Sequence, residues 1–176
     1  MTPTYRVMTV CTGNICRSPM AQVVLADRLD AAGLGDLVEV TSTGISDEEH
    51  GRPIDPRARR VLAAHGYEVP PHAARRVRRD DVAEQDLLLP MTAAHARALR
   101  ALAGTDDGVA HRVRMFRSFD PAAPQRAPEH LLDVDDPWYG DQEAFEVTLA
   151  EIEAAADGVV EHVRAEVLAR GMLAAD

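Results

Sequence analysis

A short apolar, β-branched run from Tyr5 to Val10 leads through a glycine-containing turn directly into Ser18-Pro19, a pair suited to opening a helix. A buried strand that passes this tightly into a helix is the first half of a βαβ unit. It fits a fold built on a parallel sheet. Ser18 is the expected N-cap, and Met20 to Leu29 is helical by pattern, ending near Gly33. Leu37 to Thr43 reads as a second strand closed by Gly44, and Pro56 to Ala64 as a helix ending at Gly66. Asp86 to Leu89 reads as a third strand. A helix over Thr92 to Leu102 follows, capped by Thr92 and stopped by Gly104. Val113 to Phe116 is the expected fourth strand, and a Pro-rich loop runs from Pro121 to Pro128. The segment Glu143 to Ala169 carries Phe145, Leu149, Ile152, Ala156, Val159, Val163 and Val167 at three- and four-residue steps, the period of a helix with one buried face. Strands alternating with helices predict a parallel sheet covered on both faces.

Length and charge narrow the function classes. The 176 residues fit one domain, expected to span 1–176, and a chain of that size buries roughly 70% of its unfolded surface without disulfides or metal. A net charge of −10 argues against a nucleic-acid surface. The run Arg75-Arg76-Val77-Arg78-Arg79 is followed by Asp80-Asp81 and reads as a solvated, self-neutralised face. The beginning of the chain lacks a secretory pattern, and no apolar run approaches the roughly 18 residues of a membrane span. A cytoplasmic, monomeric protein is expected. Cys11 and Cys16 are the two cysteines, too few for a disulfide framework, so they read as catalytic or redox-active. The seven histidines show no metal-ligand spacing and read as surface or structural, except His72.

The chemistry concentrates in Cys11-Thr12-Gly13-Asn14-Ile15-Cys16-Arg17-Ser18, between the first strand and the first helix. In an open parallel sheet, ligands bind beyond the carboxyl end of a strand. There the turn and the helix N-terminus aim backbone N–H groups and the helix dipole at an anion. Five residues separate Cys11 from Arg17, enough for the loop to curl and return a guanidinium fork to an anion held over the sulfur. The same positive field favours the thiolate, the nucleophilic form of a cysteine. A thiolate attacking a phosphoryl group with a poor leaving group needs an acid. Asp136 is the candidate, on a loop bounded by Pro137 and Gly140, with Trp138 and Tyr139 beside it as walls for an aryl group.

These segments together resemble the low-molecular-weight protein tyrosine phosphatases. CTGNICRSP at Cys11–Pro19 and DPWYG at Asp136–Gly140 carry the resemblance. Ser42-Thr43-Gly44, the Gly51-x-Pro53-x-Asp55-x-Arg57-Ala58 stretch, His72-x-x-Arg75 and Asp86-Leu87-Leu88-Leu89 fall between them in the family's order. The resemblance extends from about Arg6 to about Val163. It implies a four-stranded parallel sheet of order 2-1-3-4 flanked by helices. It implies a phosphocysteine intermediate on Cys11, phosphoryl binding by Arg17 and the backbone of Thr12 to Ser18, and Asp136 as general acid and base. Asn14, Ser18, Ser42 and His72 match the residues that hold the loop and the thiolate. The implied substrates are tyrosine-phosphorylated proteins, with no cofactor and no metal. The chain departs from the family at the cleft wall, where Glu48 stands in place of a frequent aromatic residue. After the third strand, Thr92 replaces a usual Asp, and Pro90 is unusual.

Three other readings compete. Arsenate reductases of this fold need further cysteines, and this chain has none after Cys16. Arginine phosphatases resemble it but carry a Thr at the position of Ile15, where Ile is the tyrosine-type residue. A silent phosphate-binding module would need only the loop, whereas here Cys11, Arg17 and Asp136 are all present.

Overall fold

The computed structural model describes residues 4–173. The terminal residues 1–3 and 174–176, which the sequence places in the same domain, lie outside the described residues. β1 (Tyr5–Cys11) is the central strand of a parallel sheet, with β2 (Val38–Gly44) on one side and β3 (Leu87–Pro90) on the other. The register sets Val7 beside Val40 and Leu87, and Cys11 beside Gly44. α1 (Arg17–Ala31) connects β1 to β2. α2 (Pro56–Ala64) and α3 (Arg79–Glu84) lie between β2 and β3. α4 (Ala93–Ala103), α5 (Asp107–Ala110), three 3₁₀ turns and the 28-residue α6 (Gln142–Ala169) complete the chain.

The pleat of β1 explains how helices cover both faces. Tyr5, Val7 and Cys11 point with Leu87 and Leu89 into a core filled by Met20, Val24, Phe145, Leu149 and Val163 of α1 and α6. Met8, Val10 and Leu88 point the other way, onto Ala96 and Leu99 of α4 and onto Val113 and Met115. The near-continuous apolar strands are those of a sheet buried on both sides.

The sheet has three strands, order 2-1-3, and not the expected four in order 2-1-3-4. Val113 forms a single parallel bridge to Leu88, held by Leu88 N–H to Arg112 O at 2.8 Å and Arg114 N–H to Leu88 O at 2.9 Å. Pairing stops there because Phe116–Phe119 turns into a 3₁₀ helix against α6, burying Phe116. A second correction concerns Ser18. α1 already begins at Arg17, its N-cap is Cys16, and no side chain caps it. Ser18 is therefore free to use its hydroxyl elsewhere. α2 and the capping of α4 by Thr92 and Gly104 match the sequence reading.

Candidate active site

The loop between β1 and α1 spends its carbonyls on the surrounding scaffold. Cys11 O accepts from Ile45 N–H and Thr12 O from Ser46 N–H, both at 3.0 Å. Ile15 O accepts from Asp55 N–H at 2.8 Å, and Asn14 O from His72 Nε2–H at 2.7 Å. Among the described residues, the N–H groups of Thr12 to Cys16 donate to no backbone or side-chain acceptor given by the structure. A loop that ties its carbonyls outward and leaves its N–H groups over the uncapped start of a helix is a cradle for an anion.

The loop closes against β2 at Gly44. A Cβ there would stand 2.5 Å from Thr12 O and 3.0 Å from Asn14 N, both backbone atoms that cannot move aside. Asn14 takes a left-handed backbone, φ +59°, which its amide side chain holds in place. Its Nδ2 donates to Ser18 Oγ at 2.9 Å and Ser42 Oγ at 3.0 Å, and its Oδ1 accepts from Arg75 N–H at 3.0 Å. Ser18 Oγ in turn lies 3.0 Å from Cys11 Sγ and 3.1 Å from Thr43 O. Ser42 Oγ–H donates to Gln22 Oε1 at 2.7 Å. The four residues that the resemblance places behind the loop, Asn14, Ser18, Ser42 and His72, are thus one hydrogen-bonded unit beneath the nucleophile candidate. Gln22 extends it.

Arg17 is almost fully buried and points from α1 across the loop. Nη1 donates to Val134 O at 3.0 Å, and Nη2 to Asp136 Oδ2 at 2.9 Å. Nε is buried without a partner among the described residues. Asp136 caps the short turn Pro137–Tyr139 by accepting from Trp138 N–H at 3.1 Å. Val134 N–H to Met91 O at 2.8 Å anchors that segment to the end of β3. Cys11, Thr12, Gly13, Ile15, Cys16, Arg17, Glu48, Asp136, Trp138 and Tyr139 line one open cleft. Asp135 is not among its walls. Ser46 and Glu49 also line the cleft. Cys16 is buried, and burial first, then Asp55, pushes its thiol well above the usual range. It is held as a neutral thiol beside Cys11.

His95 is the residue that sequence reasoning missed. The sequence reads it only as one of the surface or structural histidines, and it is structural, buried at the third position of α4. Its Nδ1 accepts from Thr92 N–H at 3.1 Å, so its Nε2 carries the proton and donates to Thr12 Oγ1 at 2.9 Å. Thr12 Oγ1 also receives Arg17 Nη2 at 3.4 Å. The only signal in the sequence is a polar ring three residues after the Thr92 cap, the place of the second partner in a capping box. Burial, and then Arg17, lowers the His95 pKa to about 3. His72 is lowered as well, chiefly by burial. The unfolded chain, with His near 6.5, therefore binds these protons first. Their stability contribution is complete above about pH 6.5 and is lost as the pH falls toward about 3. Melting temperature should drop with acidification in this window, and less steeply in His95→Gln. Parallel curves for the two proteins would contradict it.

A strand-to-helix anion cradle with a thiol at its base, a buried arginine and a carboxylate across the cleft defines a cysteine-dependent phosphoryl-transfer site on an α/β fold. The family model for low molecular weight phosphotyrosine protein phosphatases matches residues 6–169, and the chain belongs to that family. It is 47% identical over 167 residues to a low molecular weight protein-tyrosine-phosphatase of Streptomyces coelicolor, covering 95% of this chain and 98% of that one. It is 48% identical over 159 residues to low molecular weight protein-tyrosine phosphatase A of Mycobacterium bovis, covering 90% and 91%. Among solved structures, Wzb of Vibrio vulnificus in complex with benzylphosphonate superposes with a TM-score of 0.73 at 26% identity, over 90% of this chain and 98% of that one.

Proposed function

We propose that this chain, acting as a single catalytic domain, hydrolyses phosphotyrosine in proteins through a phosphocysteine on Cys11. Arg17 holds the phosphoryl group and Asp136 serves as acid, then base. The observation that carries the reading is the convergence of Cys11 Sγ, the free loop N–H groups, Arg17 and Asp136 on one cleft walled by Trp138 and Tyr139. The names of the Streptomyces and Mycobacterium relatives and the benzylphosphonate held by the Vibrio protein support an aryl phosphate as substrate.

The phosphoryl oxygens take the N–H groups of Thr12 to Cys16 and the guanidinium of Arg17, which releases Asp136 toward the leaving oxygen. Ser18 has one proton and two acceptors in reach, and with Cys11 ionised it turns that proton from Thr43 O to the sulfur. Asn14 Nδ2–H occupies a lone pair of the same hydroxyl, which fixes the hydroxyl's direction. The thiolate attacks phosphorus as the aryl P–O bond breaks, and Asp136 delivers its proton to the phenol oxygen. The Asp136 carboxylate then takes a proton from water as that water attacks phosphorus. The P–S bond breaks and the Cys11 thiolate returns. Charge stabilisation comes from Arg17 and the loop, so the reading requires no cofactor. Ile15 in the cleft favours tyrosine over arginine phosphates. The net charge of −10 supports a protein that binds no nucleic acid, and the reading takes the chain as a cytoplasmic monomer that binds no membrane. Among the described residues no helix is long and apolar enough to cross a membrane.

Glu48 is exposed and lines the cleft near Glu49. A carboxylate in place of an aromatic wall loses stacking worth about 0.5–1.5 kcal/mol. It also attracts basic residues flanking the phosphotyrosine, more strongly at low salt. A phosphopeptide screen tests the function and this feature together. Phosphotyrosine peptides should be cleaved and phosphoarginine peptides should not. Basic flanks should raise kcat/KM, and Glu48→Trp should shrink that preference while improving aryl substrates generally. Phosphoarginine as the better substrate would overturn the assignment. An unchanged flank preference would assign Glu48 to solvent.

A further inference from the structure

The two catalytic segments lie far apart in the sequence, and besides the direct Arg17–Asp136 contact an Asp55–Arg57 pair links them. Asp55 binds the nucleophile loop through its N–H to Ile15 O at 2.8 Å, then caps α2 by accepting Arg57 N–H at 2.8 Å. Its buried carboxylate grips the Arg57 guanidinium through Nε at 3.1 Å and Nη2 at 3.0 Å. The remaining nitrogen, Nη1, donates to Trp138 O at 3.1 Å and Gly140 O at 3.0 Å, the two carbonyls that flank the exposed Tyr139. The guanidinium carbon also lies 5.5 Å from the Trp138 ring centroid and 4.6 Å from that of Phe145, at the start of α6. Four of the five donors of this guanidinium are therefore committed, two to the side of the nucleophile and two to the side of the acid.

We infer that Arg57 is a positioning residue for the acid loop: tethered by Asp55 to the Cys11–Arg17 loop, it holds the Pro137–Tyr139 turn by two carbonyls and the Trp138 ring, and so sets where Asp136 and the aryl wall stand relative to Cys11. The inference rests on the phosphatase reading above. Asp136 caps the same turn from its other end, by accepting from Trp138 N–H, so a shift of the turn moves the carboxylate with it. A lysine in place of Arg57 keeps the charge but presents one ammonium, which cannot span a carboxylate and two carbonyls.

The test compares wild type, Arg57→Lys, Arg57→Ala and Asp55→Asn, each also combined with Asp136→Ala. A misplaced acid harms substrates with poor leaving groups. kcat for a phosphotyrosine peptide should therefore fall about 10- to 100-fold, while a strongly activated aryl phosphate loses only a few-fold. In the Asp136→Ala background the same substitutions should have little further effect, because the group they position is gone. Trp138 is the one tryptophan, so intrinsic fluorescence reads the turn directly. Its emission should shift toward that of a solvated indole in the Arg57 variants, at temperatures where melting curves show each protein folded.

Equal losses on both substrates that multiply with Asp136→Ala would overturn the inference and leave the phosphatase reading intact, making Arg57 a staple between α2 and α6. Unchanged Trp138 emission would overturn it as well, even if Asp136 itself proved not to be the acid. Should Arg57→Ala fail to fold, Arg57→Lys and Asp55→Asn decide the same points.

Discussion

Replacing Cys11 by Ser will abolish turnover of phosphotyrosine and of activated aryl phosphates alike, and EDTA will leave the wild-type rate unchanged. A serine hydroxyl is not ionised near neutral pH. Among the described residues the hydrogen-bond partner at this position is Ser18 Oγ at 3.0 Å, a hydroxyl of the Asn14 network that is no general base. The substitution changes one atom in a buried position at the end of β1, so the loop, Arg17 and the free N–H groups should survive it. The variant is accordingly expected to retain affinity for phosphotyrosine peptides while losing chemistry, a split of kcat from binding that a misfolded loop would not give. Residual turnover in Cys11→Ser, or a loss of activity on chelation, would contradict covalent catalysis by the thiol.

Asp136→Ala will reduce phosphotyrosine hydrolysis by roughly 10²- to 10⁴-fold, the usual contribution of a positioned acid. A strongly activated aryl phosphate, whose leaving group needs no proton, will lose far less. Asp135→Ala will have little effect, because Asp135 lies outside the cleft that Asp136 lines. The Arg17–Asp136 contact adds a second expectation. Arg17 is nearly buried while the Asp136 side chain is 40% exposed, so the pair forms at the cleft floor with one partner free to move. Removing the carboxylate frees the guanidinium, and inorganic phosphate should bind Asp136→Ala at least as tightly as wild type. A larger, leaving-group-dependent loss in Asp135→Ala would mean that the wrong carboxylate carries the proton.

Much of the architecture was legible in local patterns, because parallel strands buried on both faces are apolar runs and α6 repeats its buried residues with helical period. The departures have particular causes. The expected fourth strand failed because Val113–Phe116 has strand composition but only one residue pairs before the chain turns to bury Phe116. By composition the start of α3 belongs to a charged, solvated face. α3 is a six-residue helix burying only Val82, started by Asp81 accepting from Arg78 N–H at 2.7 Å, and pattern cannot mark so short an apolar stripe. The same segment does neutralise itself in part, since Arg75 holds both oxygens of Asp81. Ser18 obeyed every rule for an N-cap and is instead the hydroxyl beside Cys11, an instance of local preference yielding to the site.

Within the site, the residues carried by contiguous motifs were readable, whereas those that act through tertiary contact were not. Cys11 to Ser18 and Asp136 to Tyr139 stand in two short strings, and their meeting follows from the resemblance as much as from spacing. Gln22, one helical turn beyond the loop, looks like any polar helix residue until Ser42 donates to it. His95 is separated from Thr12 by 83 positions, and nothing local distinguishes a buried tautomer-locked imidazole from a surface one. Arg57 lay inside a recognised motif, but its bonds to Trp138 O and Gly140 O span more than 80 positions.

The central claim is a covalent phosphocysteine, and one measurement addresses it directly. Wild type is mixed with a phosphotyrosine peptide labelled in its phosphoryl group, quenched in denaturant within a single turnover, and digested for peptide mapping. The label is predicted on the peptide containing Cys11, appearing as the phenol is released and decaying as free phosphate forms, with none in Cys11→Ser. Release of phenol and phosphate in step, with no label on Cys11 at any time, would contradict the account.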